Sequence, residues 1–254
     1  MNLKTREEIE ILREGGKRLA EILSELALKV APGVSSFFLE EEARRLIKEG
    51  GDEAAFLGYK PTGARRPFPA ALCVSINDEI VHGIPNEQEK IIKEGDIVSL
   101  DFGIKHKDLI TDAAITIGVG LVDEISQKLM EVTKLSLEKG IEAAHPGNTI
   151  GDIGVAISKV VREAGFSLAE DLVGHGVGYK VHEDPFVPNF GIAGSGEKLV
   201  PGLVIAIEPM VNVGKSGIKM SSDGYTISTK DGSRSAHFEH SIAITEKGNI
   251  ILTL

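Results

Sequence analysis

The sequence has no tryptophan, one cysteine and few aromatic residues, which make up 5 % of its 254 positions. A lone Cys73 excludes an internal disulfide, so the fold must be held by its core, and a reducing, cytoplasmic setting is the simplest expectation. Positive charge is in deficit: 28 Lys and Arg stand against 38 Asp and Glu, a formal charge of −10. That balance argues against a nucleic-acid or anionic-membrane surface as the main partner. Long apolar runs are missing too. The uninterrupted stretch at 203–207 is far too short to span a bilayer. The charged segment 1–11 has no apolar signal core. What remains, 42 % hydrophobic and 26 % charged, is an ordinary globular composition, which excludes a disordered or collagen-like chain.

Thr5 to Glu8 reads as a capping box, and Ile9, Leu12, Leu19, Ile22, Leu23 and Leu26 follow a helical period. A second helix is expected over 36–48, ending at Gly50-Gly51. Strand formers at 68–81 surround a turn at Asn77-Asp78. Segments 97–105 and 109–117 read as two strands joined by a short turn. Helices are expected over 124–143 and 150–164, and strands at 203–208 and 238–245. No composition break divides the chain.

The chain carries an internal echo. Pro32-Gly33 opens a stretch ending Lys48-Glu49-Gly50-Gly51, and Pro146-Gly147 opens one ending Arg162-Glu163-Ala164-Gly165, 114 positions later. His82-Gly83-Ile84-Pro85 resembles His182-Glu183-Asp184-Pro185. Gly95 stands six residues before Asp101, as Gly202 stands six before Glu208. Asp112-Ala113-Ala114-Ile115 resembles Glu239-His240-Ser241-Ile242. Four weak matches in one order suggest a duplicated α+β unit, with halves of roughly 1–120 and 121–254 about a pseudo-twofold axis in a single domain. Such an axis would gather Asp101, Asp112, Glu208 and Glu239, with His82 and His182 flanking them.

If His106-Lys107 is the hairpin loop, Asp101 faces Asp112 directly. Carboxylates so placed, with Cβ atoms roughly 4.5–5.5 Å apart, call for a cation. The bland alternative, two solvated strand residues, is weakened by their apolar flanks. Glu208 closes a buried strand and either meets water at its edge or points into a site. Glu239 could be an outward-facing strand residue. His175, within Gly174-His175-Gly176-Val177-Gly178, lies where backbone can approach a ligand closely. The same loop lacks the spacing of a phosphate-binding loop. His82 and His182 are either turn residues before proline or a pair of proton donors and acceptors. His237 and His240 carry no comparable signal beyond flanking Glu239. Arg44-Arg45 and Arg65-Arg66 read as solvated charge. Four carboxylates and one histidine form a hard donor set suited to two divalent ions of the Mn²⁺, Fe²⁺ or Co²⁺ kind. Two ions roughly 3.5–4 Å apart can share a hydroxide and polarise a carbonyl, so metal-assisted hydrolysis is the expected chemistry.

Asp101, Asp112, His175, Glu208 and Glu239 resemble, in order and context, the five ligands of the pita-bread metallopeptidases. The flanking segments His82-Gly83-Ile84-Pro85, Ile207-Glu208-Pro209 and Ser233-Arg234-Ser235-Ala236-His237-Phe238-Glu239-His240 resemble the type I methionine aminopeptidases in particular. The resemblance covers nearly the whole chain. It implies an α+β pita-bread (creatinase/aminopeptidase) fold, two halves around a central antiparallel sheet with helices outside. It also implies removal of the N-terminal methionine from nascent proteins whose second residue is small, by a metal-bridged hydroxide. Asp112 and Glu239 would bridge two divalent ions (Co, Mn, Fe, Zn or Ni), Asp101 would hold one, and His175 and Glu208 the other. Glu208 would handle the proton of the attacking water. His182 would stabilise the oxyanion, and His82 would serve the substrate amine and leaving group. Phe68, Cys73 and Tyr225 would wall the methionine pocket. A cytoplasmic monomer acting at the ribosome fits this task. The same-fold alternative is an Xaa-Pro peptidase, whose usual N-terminal domain has no room in the roughly 80 residues before His82. A non-catalytic binding module is disfavoured because all five ligands and both histidines are kept. His237 stands where the family usually has Gln, Ala206 where Thr is common, Phe68 and Tyr225 alter the pocket, and 62–67 is longer than in typical members.

Overall fold

Thr5 and Glu8 cap the first helix reciprocally: the Glu8 amide donates to Thr5 Oγ1 at 3.2 Å and the Thr5 amide to Glu8 Oε2 at 2.7 Å. The computed structural model describes residues 1–169 and 171–254. In chain order, α1 (Arg6–Lys29) and α2 (Ser36–Gly50) precede β1 (Glu53–Ala54), β2 (Cys73–Ile76), β3 (Glu79–Val81), β4 (Ile97–His106) and β5 (Leu109–Gly118). Then come α3 (Glu124–Ala143), α4 (Ile150–Glu163), β6 (Ser167–Leu168), β7 (Val173–Gly176), β8 (Glu183–Pro188) and β9 (Val204–Ile207). The chain ends with β10 (Met210–Asn212), β11 (Ile218–Met220), β12 (Ile227–Thr229), β13 (Ser235–His237), β14 (Glu239–Thr245) and β15 (Gly248–Ile251).

Nine strands form one antiparallel sheet in the order β1-β4-β5-β14-β9-β7-β8, with β2 also on β4 and β15 also on β14. The apolar stripe of α1 (Leu12, Leu19, Leu26) joins Leu100, Phe102 and Ile104 of β4 in one buried cluster. Leu137 and Ile141 of α3 and Ile153 and Ile157 of α4 join Ile205, Ile207, Ile242 and Ile244 in a second. Helices therefore cover one face of the sheet, half by half. Among the described residues, no helix is long and apolar enough to cross a membrane. This is the pita-bread architecture expected above.

The β4–β5 register corrects one expectation. The turn is Lys107-Asp108, not His106-Lys107, so Asp101 pairs with Ala114 and Asp112 with Gly103. Lys107 and Asp108 both have positive φ (47° and 67°), as a two-residue primed hairpin turn requires. The two aspartates are diagonal neighbours on one face rather than directly opposed.

The two halves repeat a set of backbone hydrogen bonds. Gly33 N to Ile92 O (2.8 Å) recurs as Gly147 N to Leu199 O (3.0 Å). Ile92 N to Val34 O (2.9 Å) recurs as Leu199 N to Asn148 O (2.8 Å). Gly95 N to Val119 O recurs as Gly202 N to Ile244 O, both at 2.9 Å. Both glycines of that last pair have positive φ, 82° and 93°.

Candidate metal centre

Side chains two apart on a strand share a face, and so do residues directly opposed in a ladder. One ladder row runs Cys73–Asp101–Ala114–Glu239. The next runs His175–Ala206–Ser241. Asp112 lies two residues before Ala114, and Glu208 two after Ala206. Alternation alone thus puts Asp101, Asp112, His175, Glu208 and Glu239 on one face, with small Ala114 and Ala206 between them. All five are at least nine-tenths buried.

The cluster has the donor types and spacing that a cation needs. One ligand atom from each of Asp112, His175 and Glu239 lies within 4.8 Å of the other two, and so do atoms of Glu208, His237 and Glu239. Asp112 Oδ1 and Glu239 Oε1 are buried without a hydrogen-bond partner. Burial, then the Glu208 charge, pushes Asp101 up to about 8. Burial, then neighbouring carboxylates, raises Asp112, Glu208 and Glu239 well above their ordinary range. His175 Nδ1 faces its neighbour's carbonyl, Gly176 O, at 3.0 Å. A carbonyl only accepts, so Nδ1 carries the proton and Nε2 turns a lone pair toward Glu208 Oε1 at 3.4 Å and Asp112 Oδ2 at 3.9 Å. Burial, then His182, lowers His175 to about 3, which keeps it neutral, as ligation requires. These residues fit divalent ions.

Beside the cluster is a cavity of about 50 Å³ lined by Phe56, Tyr59, Pro61, Phe68, Cys73, His82, Val181, His182 and Tyr225. Phe68 meets Tyr225 edge-on, with centroids 5.1 Å apart. Cys73 joins cavity to cluster, opposite Asp101 in the ladder, and burial pushes its thiol up. His82 adopts φ 58°, a conformation that histidine tolerates better than most residues, and burial lowers it to about 4. His182 Nδ1 lies 2.9 Å from the Tyr59 hydroxyl, and its ring stands 4.4 Å from that of His175. Its packing holds it below the usual histidine value.

Each candidate site residue named from the sequence lies on the carboxylate-bearing sheet face or lines the cavity. Sequence reasoning passed over others. His237 belongs to the cluster, 3.5 Å from Glu208 Oε2, with both ring nitrogens lacking a partner. Phe56, Tyr59 and Val181 line the cavity without any periodic signal. Asn189 Nδ2 donates to the Glu208 carbonyl at 3.0 Å. Arg66 is not merely solvated: it pairs with Glu87 and donates to Asp223 O at 3.1 Å, while the Tyr225 hydroxyl donates to the Arg66 carbonyl. The 62–67 stretch is thereby fastened beside the cavity.

Hard oxygen donors this costly to bury without a counter-ion, set beside an apolar hollow edged by neutral imidazoles, define a metal-dependent hydrolase. The chain belongs to metallopeptidase family M24, whose description matches residues 10–246. It is 48 % identical over 255 residues to a methionine aminopeptidase of Aquifex aeolicus (strain VF5), spanning 100 % of this chain and 98 % of that one. The crystal structure of methionine aminopeptidase from Thermotoga maritima superposes with a TM-score of 0.95 at 43 % identity, over 100 % of this chain and 99 % of that one. A prolidase from Pyrococcus furiosus, with TM-score 0.77 and 23 % identity over 99 % of this chain and 65 % of that one, shares the fold alone.

Proposed function

We propose that this chain is a methionine aminopeptidase, hydrolysing the bond after an N-terminal methionine when the second residue is small. The observation that carries the reading is the single sheet face holding five ligand-type side chains against an apolar, ring-lined cavity. Asp112 and Glu239, each with one buried orphan oxygen, would bridge two divalent ions. Asp101 would hold one, and His175 and Glu208 the other. When bound, such ions supply Lewis-acid polarisation of the scissile carbonyl and a lowered pKa for the attacking water.

The remaining steps belong to side chains. The methionine thioether enters the hollow walled by Phe68, Cys73 and Tyr225, where sulfur meets ring edges favourably. Glu208, its pKa raised by burial, takes the proton of the attacking water and passes it to the leaving amine. A Tyr59 hydroxyl donating to Nδ1 would leave the His182 proton on Nε2, where it can donate to the developing oxyanion. His82, which also lines the cavity, would serve the substrate amine and leaving group. The reading further takes the chain as one catalytic domain of two duplicated halves, a cytoplasmic monomer acting on nascent chains at the ribosome. The repeated hydrogen bonds and the lone buried thiol support its first two parts.

The test is hydrolysis of Met-Ala-Ser and of Xaa-Pro peptides, with and without Mn²⁺ or Co²⁺. Metal-dependent release of methionine is expected. Cleavage of Xaa-Pro alone would instead make the chain a prolidase-type enzyme, and no cleavage with any metal a binding module.

A further inference from the structure

The first few residues of the chain bond to the carboxylate next to His182. Lys4 lies 179 positions from Glu183, yet its Nζ donates to Glu183 Oε2 at 2.9 Å, and both side chains are 1 % exposed. Asn2 Nδ2 donates to the same oxygen at 2.9 Å. The other oxygen, Oε1, takes the backbone amides of Tyr179 (2.5 Å) and Lys180 (3.0 Å). One carboxylate thus closes the turn leading to His182 and fastens it to the N-terminus.

The path of Lys4 is specific. Its amide donates to Gly202 O at 2.7 Å, and its Nζ lies 4.8 Å from the Tyr179 ring centroid. Gly178 sits at φ 138°, and a Cβ there would fall 2.4 Å from Lys4 Cε. Only glycine leaves room for the lysine stem to pass. The bound turn carries Val181 and His182, both walls of the cavity. Burial keeps the Lys4 ammonium below its ordinary value despite its partner. Burial also works against ionised Glu183, but the donors from Lys4, Asn2 and the turn outweigh it and leave that carboxyl below its ordinary range. Burial wins at the residue with fewer partners. A buried carboxylate stripped of its cation is costly. Without Lys4, Glu183 must protonate or turn to water, and either change weakens the acceptor holding the two turn amides.

We propose that Lys4 and Glu183 are positioning residues for His182: an N-terminal strap that holds the catalytic turn so that its imidazole meets the scissile carbonyl. The inference rests on the role of His182 given above. Misplacement of about 1 Å by a remote change can cost about 10²-fold in rate.

The test is a mutant cycle on the Mn²⁺-loaded full chain, read by Met-Ala-Ser hydrolysis. Lys4→Met should lower kcat by about 10- to 100-fold with little change in KM. Lys4→Arg should recover most of the loss, and Mn²⁺ affinity by calorimetry should stay unchanged. Added to His182→Ala, Lys4→Met should cost almost nothing more, because the strap acts only through that ring. Should Lys4→Met yield too little folded protein, Lys4→Met/Glu183→Gln removes both charges together, leaves no unpaired buried ion, and should show the same kcat loss. Wild-type kcat in either variant, losses that multiply with His182→Ala, or weakened Mn²⁺ binding would each overturn the proposal. A wild-type chain inactive on Met-Ala-Ser would overturn the functional reading instead.

Discussion

Removing divalent ions should lower the thermal stability of this protein, and the deficit should widen as pH rises from 6.5 to 8.5. Asp101, Asp112, Glu208 and Glu239 are 6 %, 3 %, 9 % and 3 % exposed and crowd one sheet face. Burial and mutual repulsion raise all four, Asp101 to about 8. An acid with a raised folded-state pKa binds its proton more tightly folded than unfolded. Its contribution is full below the ordinary carboxylate value, near about 4, and is lost as pH climbs through the raised value. The histidines act with the opposite sign. Burial lowers His82 to about 4 and His175 and His237 to about 3. Their contribution is full above the unfolded value, about 6.5, and is lost only as pH falls. Of the carboxylates and histidines, the carboxylates carry the change between pH 6.5 and 8.5, and the raised Cys73 thiol acts in the same direction. At about 1.4 kcal/mol per pH unit, Asp101 by itself loses about 2 kcal/mol between pH 6.5 and its raised value of about 8. Bound cations replace those protons as counter-charge. Ion at about 100 times Kd adds about 2.7 kcal/mol for one site. At about 2–4 °C per kcal/mol for a domain of this size, Tm should rise by about 5–10 °C. Calorimetric scans with EDTA or Mn²⁺ at the two pH values measure this directly. An equal Tm with and without Mn²⁺, or a gap that narrows at pH 8.5, would refute the reasoning.

Asp112→Ala should remove ion binding and peptidase activity together, because a shared ligand is lost; full activity in that variant would sink the bridging assignment. His182→Ala should keep its ions and lose about 10²- to 10³-fold in kcat, as removal of an oxyanion donor does; loss of ions, read by calorimetry, would make His182 a ligand. His237 faces Glu208 Oε2 while His175 faces Oε1. The His237 ring makes no hydrogen bond without ions, but its Nε2 lies 3.5 Å from Glu208 Oε2; if it orients the carboxylate once ions are bound, His237→Leu should weaken Mn²⁺ binding by about 10- to 100-fold. His237→Gln, which keeps an N–H donor, should bind nearly normally, and equal affinities in the two variants would show that the donor is idle.

Much of this site could be read from the sequence because local rules and the fold agree. The helix starts at Thr5, Ser35, Asp123 and Thr149 are capped as their residue types imply. Apolar flanks weakened the solvated reading of the strand aspartates without excluding it, and burying them called for a cation. The β4–β5 register was misread because Lys-His-Lys-Asp is a weak turn signal; the positive φ that Asp108 tolerates decided it. Tyr59 and Phe56 were invisible because they sit on an irregular loop, where no period announces which side chains turn inward. His237 was passed over because its role depends on β13 lying beside the cluster, which only the folded chain reveals. Lys4 looked like one more N-terminal charge, since nothing local links it to a partner 179 positions away.

The proposed duplication would also explain why the two expected ion positions should differ. Under the repeat, Asp112-Ala113 corresponds to Glu239-His240. A twofold axis between β5 and β14 requires equivalent residues to face each other, and His240 pairs with Ala113. It also requires matched off-axis pairs. Glu239 faces Ala114, while Asp112 N and O both bond to Ser241 Oγ, at 2.9 and 2.8 Å. On that reading Asp112 and Glu239 would be axis-related, and each keeps one buried oxygen without a partner, as befits ligands that two ions would share. Outward from the axis the symmetry breaks. On one side β4 offers Asp101 with the Cys73 thiol opposite it, and burial keeps that thiol protonated. On the other side Glu208 is joined by the neutral imidazole of His175. The second position has one more good donor, so Mn²⁺ titration of the metal-free protein should show two unequal binding steps. His175→Ala should weaken the tighter step and leave the other. A single step, or equal loss of both, would mean that the two halves do not hold separate ions.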